Sequence, residues 1–255
     1  MIKEKVLIVI PFYSNIEPAT MKSILDLSNL EQFSFTRKSI KSASLVNALN
    51  LAFSDVDKYD YVFKVDSDMS FTIDQFLKLI KAVKSYGGFA SCIYRNKFTG
   101  TIEAGKGVEV DQNGILRTNQ ILDTEVPLDG DILNVSWFGG GGWVANTSVF
   151  KTIPKPFYKT SVFNNIAIPE DISFCLDALH HKYLVGGCEF KHLTRSDEIP
   201  GVIDIPFSKK QFYLLEKAIL LLPEEEREPL YSIIKLRSAY SIFMDKWKFG
   251  DKKKV

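Results

Sequence analysis

Tyr59-Asp60-Tyr61-Val62-Phe63-Lys64-Val65-Asp66-Ser67-Asp68-Met69 is the stretch on which the reading of this chain turns. Tyr61 to Val65 is a short apolar run of the kind a buried strand needs, and it stops at two carboxylates, Asp66 and Asp68. A helix is expected almost at once. Thr72 with Gln75 three positions on forms a capping-box pattern, and Ile73, Phe76, Leu77, Ile80 and Val83 fall on one helical face. Gly87 and Gly88 end that helix, and Phe89 to Tyr94 reads as the next strand. Upstream, Val6 to Ile10 is a continuous apolar run stopped by Pro11, and Ser44 to Phe53 carries Leu45, Ala48, Leu49 and Ala52 at helical spacing. Strands alternating with helices are the sequence form of a mostly parallel sheet with helices on its faces, so the class is α/β.

The middle of the chain changes character. Val108 to Val110 and Ile115 to Arg117 flank Gln112-Asn113-Gly114, and Asn-Gly between short strands is a strong hairpin signal. Ile132 to Trp137 reads as a strand leading into four glycines, Gly139 to Gly142. Pro169 opens a helix in which Ile172, Cys175, Leu176 and Leu179 form the expected buried stripe. Tyr183 to Phe190 is then a strand with an irregularity at Gly186-Gly187, ending just before His192. From about residue 205 the pattern is helical only, which gives a catalytic-size domain over 1–204 and a helical appendage over 205–255, a surface through which a homodimer would form.

The chain has 255 residues, 45% of them hydrophobic and 25% charged, which excludes a disordered or collagen-like protein. Thirty-two basic residues against 31 acidic ones leave a net charge of +1, with no general pull toward nucleic acid or anionic membrane. Three widely spaced cysteines, Cys92, Cys175 and Cys188, argue against a zinc site or disulfide frame and suit a cytoplasmic location as small buried hydrophobes. No apolar run approaches the roughly 20 residues of a membrane span, and neither a signal peptide nor an anchor is read.

Four groups of residues carry candidate chemistry. Asp66-Ser67-Asp68 lies just past the carboxyl end of a strand, the edge where ligands bind in open α/β sheets. Two carboxylates aimed into one space repel, and a divalent cation relieves that repulsion while holding a diphosphate. Glu170 and Asp171 begin a helix, where they complement its dipole or, if held at the same edge, accept a proton from an attacking hydroxyl. A helix followed by a parallel strand would return His192 to that edge, where an imidazole completes an oxygen and nitrogen set suited to manganese. Gly139 to Gly142, bracketed by Trp137, Phe138 and Trp143, allows close backbone approach to a ligand beside flat apolar surfaces. Arg37, Lys38 and Lys41 form a small basic cluster that reads as a solvated helix face or as charge for a diphosphate.

Taken as an ordered set, these features resemble GT-A fold glycosyltransferases, especially small family 2-like enzymes with a D-x-D motif. The set comprises Pro11, the segment 59–69, Trp137 to Trp143 with Asn146-Thr147-Ser148-Val149-Phe150, Pro169-Glu170-Asp171-Ile172-Ser173-Phe174-Cys175, and His192, and it covers roughly residues 4–195. The resemblance implies a Rossmann-like nucleotide-sugar half over about 1–100 and an acceptor half over 101–204. It implies Mn2+ or Mg2+ on the donor diphosphate, with Asp66 on the ribose or metal and Asp68 and His192 as metal ligands. Asp171 would be the catalytic base and Glu170 would orient the acceptor. Pro11 and Tyr13 fall where such enzymes begin the nucleoside pocket, Ser67 lies within the D-x-D turn, and Trp137, Gly140, Gly141 and Gly142 would line the substrate. The Arg-Asn pair of many relatives is replaced by Ser44-Leu45-Val46-Asn47, so Asn47 keeps part of its role and Arg37 or Lys41 the charge.

The expected activity is transfer of a sugar from a nucleoside diphosphate sugar, UDP-sugars favoured, to a hydroxyl of a saccharide, protein or modified DNA base. Inversion is expected, with retention open. A sugar-phosphate nucleotidyltransferase shares the core, but its Gly-rich loop is replaced here by Pro11-Phe12-Tyr13-Ser14-Asn15. A noncatalytic carbohydrate- or metal-binding module would need no nucleotide affinity.

Overall fold

A computed structural model of the protein describes residues 2–42, 44–97, 99–110, 116–159, 161–163 and 166–193. The chain divides into two units, residues 1–194 and 195–255. The helical pattern from about residue 205, and the dimer surface expected of it, lie outside the described residues.

β1 (Glu4–Phe12), α1 (Pro18–Asp26), β2 (Phe33–Lys41), α2 (Leu45–Ala52) and β3 (Tyr61–Val65) open the fold, and a two-residue β4 (Met69–Ser70) precedes α3 (Ile73–Tyr86) and β5 (Phe89–Ile93). Then come β6 (Ala104–Val110), β7 (Leu116–Gln120), β8 (Ile132–Val135), β9 (Trp137–Phe138) and β10 (Gly142–Asn146). β11 (Ser161–Phe163), β12 (Ile166–Ile168), α4 (Glu170–Asp177), β13 (Lys182–Glu189) and β14 (Lys191–His192) complete it. The central sheet has the order β2-β1-β3-β10-β5-β13-β8. β2, β1, β3, β5 and β13 run one way, and β10 and β8 run against them. This is the mostly parallel α/β architecture expected from the sequence.

Alternation along the strands divides the core in two. Val6, Ile8, Ile10, Phe63 and Val65 face α3, which contributes Phe76, Leu79, Ile80 and Val83. Leu7, Val9 and Val62 face the opposite layer, with Leu49 and Ala52 of α2, Trp143 of β10 and Phe174 of α4. Burying each such large side chain contributes about 1.5–3 kcal/mol, which is why a strand covered on both faces reads as a continuous apolar run. α3 begins as expected: the Thr72 hydroxyl accepts from the Gln75 N–H, and the Gln75 side chain accepts from the Thr72 N–H. The β6–β7 hairpin forms with Val110 opposite Leu116, its Asn-Gly turn lying outside the described residues. β13 slips register between Leu184 and Glu189, around Gly186 and the positive-φ Gly187.

Several elements depart from expectation. β1 continues through Pro11 because β3 pairs with it only as far as Val9, so proline's missing N–H costs nothing on that side. Residues 33–41 form an edge strand, not a helix face, and their polar side chains alternate with Phe33 and Phe35. On α4 the buried residues are Ile172, Ser173, Phe174 and Cys175; Leu176 lies on the exposed side of the helix, and Leu179 is exposed beyond its end at Asp177. The three cysteines are buried and free. Among the described residues, no helix is long and apolar enough to cross a membrane.

Candidate active site

The carboxyl ends of β3 and β5 and the start of the reversed strand β10 meet at one edge of the sheet. There Asp66 leaves β3, its N–H donating to the Gly141 carbonyl at 3.1 Å. The D-x-D turn is clamped from several directions: the Ser67 carbonyl accepts from the Glu17 N–H at 2.8 Å and from the Thr20 hydroxyl at 3.0 Å, both at the head of α1. The Asp68 carbonyl accepts from the Leu193 N–H at 2.7 Å. β4 and β14 pair beside it, with His192 opposite Met69. A pairing of two residues on each side thus delivers the distant histidine to the turn.

His192 and Asp68 face each other, Nε2 to Oδ2, at 3.4 Å. His192 Nδ1 lies 3.0 Å from the Arg95 carbonyl. A carbonyl only accepts, so Nδ1 carries a proton, and in the imidazolium form the second proton, on Nε2, donates to the carboxylate. Burial pulls the imidazole pKa down, but the hydrogen bond and charge of Asp68 outweigh it and raise it above 6.5. Burial likewise pushes Asp68 up, and His192 and Lys97 reverse this, leaving it below its ordinary value. Lys97 Nζ lies 3.4 Å from the same oxygen, Asp68 Oδ2.

Asp66 has a different set of partners. Its Oδ1 pairs at 2.5 Å with Lys64 Nζ, a side chain only 1% exposed, which also donates to the Gly140 carbonyl. Burial raises the Asp66 pKa and Lys64 opposes the rise. The two carboxylates of the turn are therefore neutralised separately, one by a buried lysine and one by histidine and lysine at the surface of the edge.

Among the described residues, no three His, Cys, Asp or Glu side chains converge as a metal cage. Asp68 and His192 do fit half of one: an oxygen and a nitrogen on the same side, with the second ring nitrogen fixed by a carbonyl as in protein metal sites. Mg2+ and Mn2+ bound with substrate phosphates need only one or two protein ligands.

Asp171 lies in the first turn of α4 and accepts from the Ile172 N–H at 2.8 Å. Burial, then the neighbouring Glu170 charge, lifts its pKa to about 7, with Lys64 pulling it down and Glu103 pushing it up. Tyr94, at the end of β5, feels both Asp171 and Asp66, and burial carries its phenol well above 10. Asp66, Asp171, Glu103 and Tyr94 thus share one electrostatic neighbourhood. α4 is held firmly: Phe174 stacks on Tyr158 with ring centroids 4.5 Å apart and on Trp143 at 5.8 Å. Such pairs contribute about 0.5–1.5 kcal/mol each beyond their burial, and they fix where the helix start points.

Other expected residues are placed differently. Trp137 is buried with its indole N–H donating to the Gly107 carbonyl at 3.3 Å, and Trp143 is buried between Phe53 and Phe174, so neither offers a face to a sugar. The space beside the glycines is filled by the protein itself. A Cβ on Gly140 would lie 2.6 Å from Lys64 Nζ, one on Gly141 2.7 Å from the Tyr94 ring, and one on Gly142 2.6 Å from Phe190. Glycine is required there for internal packing. Pro11 is buried level with Asp66, two residues past the Val9–Lys64 pair, and Tyr13 is partly exposed just beyond. Ser67 is buried, with its carbonyl committed to α1. Asn47 is exposed in the first turn of α2, its N–H donating to the Ser44 hydroxyl at 3.3 Å. Arg37 lies opposite Ile8, short of the edge, with its guanidinium 3.9 Å from Met21 Sδ, whereas Lys41 is level with Phe12 at the edge itself. Of the two cations, the register puts Lys41 at the ligand edge.

Lys64, Tyr94, Lys97 and Glu103 escaped the sequence reading. The signal for Lys64 was present: a lone cation within an apolar run destined for burial on both faces needs a partner, and Asp66 is two residues away.

Fold and site together define an α/β protein with a carboxylate and imidazole pair at the carboxyl edge of its sheet. No family model and no curated protein sequence matches the chain. Among solved structures, A197 from STIV is similar with a TM-score of 0.55, at 13% identity, over 75% of this chain and 86% of that one. GalNAc-T7, solved with UDP, GalNAc and Mn2+, gives a TM-score of 0.49 at 12% identity over 84% of this chain and 48% of its own. UDP-glucose pyrophosphorylase from Acinetobacter baumanii gives 0.41 at 12% identity over 73% and 86%. The likeness to A197 is one of fold, and the two lower scores bear on neither fold nor function.

Proposed function

We propose that the chain is a metal-dependent glycosyltransferase that moves a sugar from a nucleoside diphosphate sugar, UDP-sugars first among them, to an acceptor hydroxyl with inversion. The observation that carries this reading is the β4–β14 pairing, which turns His192 Nε2 to Asp68 Oδ2 at the ligand edge of the sheet, 3.4 Å away. Asp68 and His192 would hold Mn2+ or Mg2+, whose positive charge favours departure of the diphosphate. Asp171, with a pKa near 7, is suited to take the acceptor proton at neutral pH. The acceptor oxygen bonds to the anomeric carbon as the bond from that carbon to the diphosphate oxygen breaks. The electron pair leaves with the diphosphate and the proton passes to Asp171. Glu170 beside it orients the acceptor, and Pro11, Tyr13 and Asn47 border the nucleoside.

Calorimetry with a panel of nucleotides and nucleotide-sugars, with and without Mn2+, tests the donor site before the acceptor is known. Metal-dependent binding of one nucleoside diphosphate is expected, weakened at least about tenfold in Asp68→Ala, the loss of one charged ligand contact. Nucleotide binding that is indifferent to Mn2+ and to Asp68→Ala removes the metal role. No binding across the panel favours a noncatalytic module.

A further inference from the structure

Lys97 is a cation that the metal reading leaves without a task. Its ammonium lies 3.4 Å from Asp68 Oδ2, the oxygen that also faces His192 Nε2 at 3.4 Å, and its side chain is only 19% exposed. A divalent ion bound to that oxygen would share it with the ammonium, and two cations held to one carboxylate oxygen repel. The two cations therefore compete for Asp68. The backbone under Lys97 is pinned: Arg95 and Ile102 bridge, the Asn96 N–H donates to the Thr101 carbonyl at 2.8 Å, and the Gly100 N–H donates to the Asn96 carbonyl at 2.8 Å. Lys97 carries its ammonium on a four-carbon stem, and a compact ammonium at a sheet edge is a ready partner for a phosphate.

We propose that Lys97 is a donor-binding residue that exchanges Asp68 for the donor's diphosphate: it opposes metal binding when no nucleotide is present and grips the diphosphate once the metal has taken Asp68. This rests on Asp68 and His192 being the metal pair, and its mark is two effects of opposite sign from one substitution. In calorimetry on the full chain, Lys97→Met is expected to bind Mn2+ alone about three- to tenfold more tightly than wild type. UDP at saturating Mn2+ is expected to bind about tenfold or more weakly, the scale of one charged hydrogen bond lost. Lys97→Arg, which keeps the charge, should hold both affinities within about threefold of wild type, a band well inside the tenfold that one such bond carries. Thermal melts of both variants monitor folding. If Lys97→Met weakens Mn2+ and UDP together, or leaves UDP binding unchanged, the exchange is wrong although the metal site stands. If neither wild type nor Lys97→Met binds Mn2+, even with UDP present, the metal pair fails and the exchange fails with it.

Discussion

Asp66→Ala is expected to destabilise the protein by about 3–5 kcal/mol, the cost of removing one partner of a buried ion pair. Lys64 is 1% exposed, and without Asp66 its ammonium keeps, among the described residues, the Gly140 carbonyl as its hydrogen-bond partner. Adding Lys64→Met to Asp66→Ala removes the stranded charge and should recover more than half of the loss, because the site faces Val9 on β1 and Trp143 on β10. Chemical denaturation reads both: the midpoint should fall for the single variant and return for the double, at an unchanged slope. A single variant that costs less than about 1 kcal/mol, below the range for an unpaired buried charge, would mean the pair does not hold the edge together. The pairing also separates the roles of the two D-x-D carboxylates. Loss of donor binding in Asp66→Ala follows from a disturbed edge, whereas the partners of Asp68 are partly solvated and its replacement tests the ligand site more directly.

Asp171→Asn is expected to reduce transfer by about 10²–10⁴-fold, the usual contribution of a positioned general base, while leaving donor affinity unchanged. In the wild type the rate should rise with pH to a plateau above about 7, where Asp171 is ionised. Its effect on stability runs the other way. The folded pKa of about 7 lies above the ordinary 3.8, so between these values the folded state holds a proton that the unfolded state has released. Stability contributed at this position therefore falls as pH rises through that window and stays lower above it. Asp171→Asn should consequently be more stable than wild type at pH 8 and differ little at pH 4. Transfer retained at near wild-type rate, or a melting temperature that is not raised at pH 8, counts against a desolvated base at this position.

Much of the scaffold was legible because its signals are local. The capping box at Thr72, the apolar run 61–65, the Asn-Gly hairpin and the irregular strand before His192 each depend on neighbours within a few residues. The expectation that a helix followed by a parallel strand returns the chain to the same edge was enough to bring His192 toward Asp68. Two elements were hidden for physical reasons. β2 is an edge strand, so it carries charges that in isolation look like a solvated surface. β10 starts within a glycine run, and the shape that demands glycine there is made by Lys64, Tyr94 and Phe190, which are remote in sequence. The same remoteness led Trp137 and Trp143 to be read as ligand platforms when they are core.

The place of β10 in the sheet bears on how the protein is made. β3 and β5 are not neighbours; β10 lies between them and hydrogen-bonds to both. When the first hundred residues have emerged from a ribosome, β1, β2, β3 and β5 exist as sequence, yet the strand that joins them into one sheet has not been synthesised. Two apolar edges must wait for it, with the exposure to misassociation that unpaired strands carry. Their closure is non-local and hence slow. The ligand edge, which needs β3, β5, β10 and finally His192, is completed only when nearly all of the first unit has been translated.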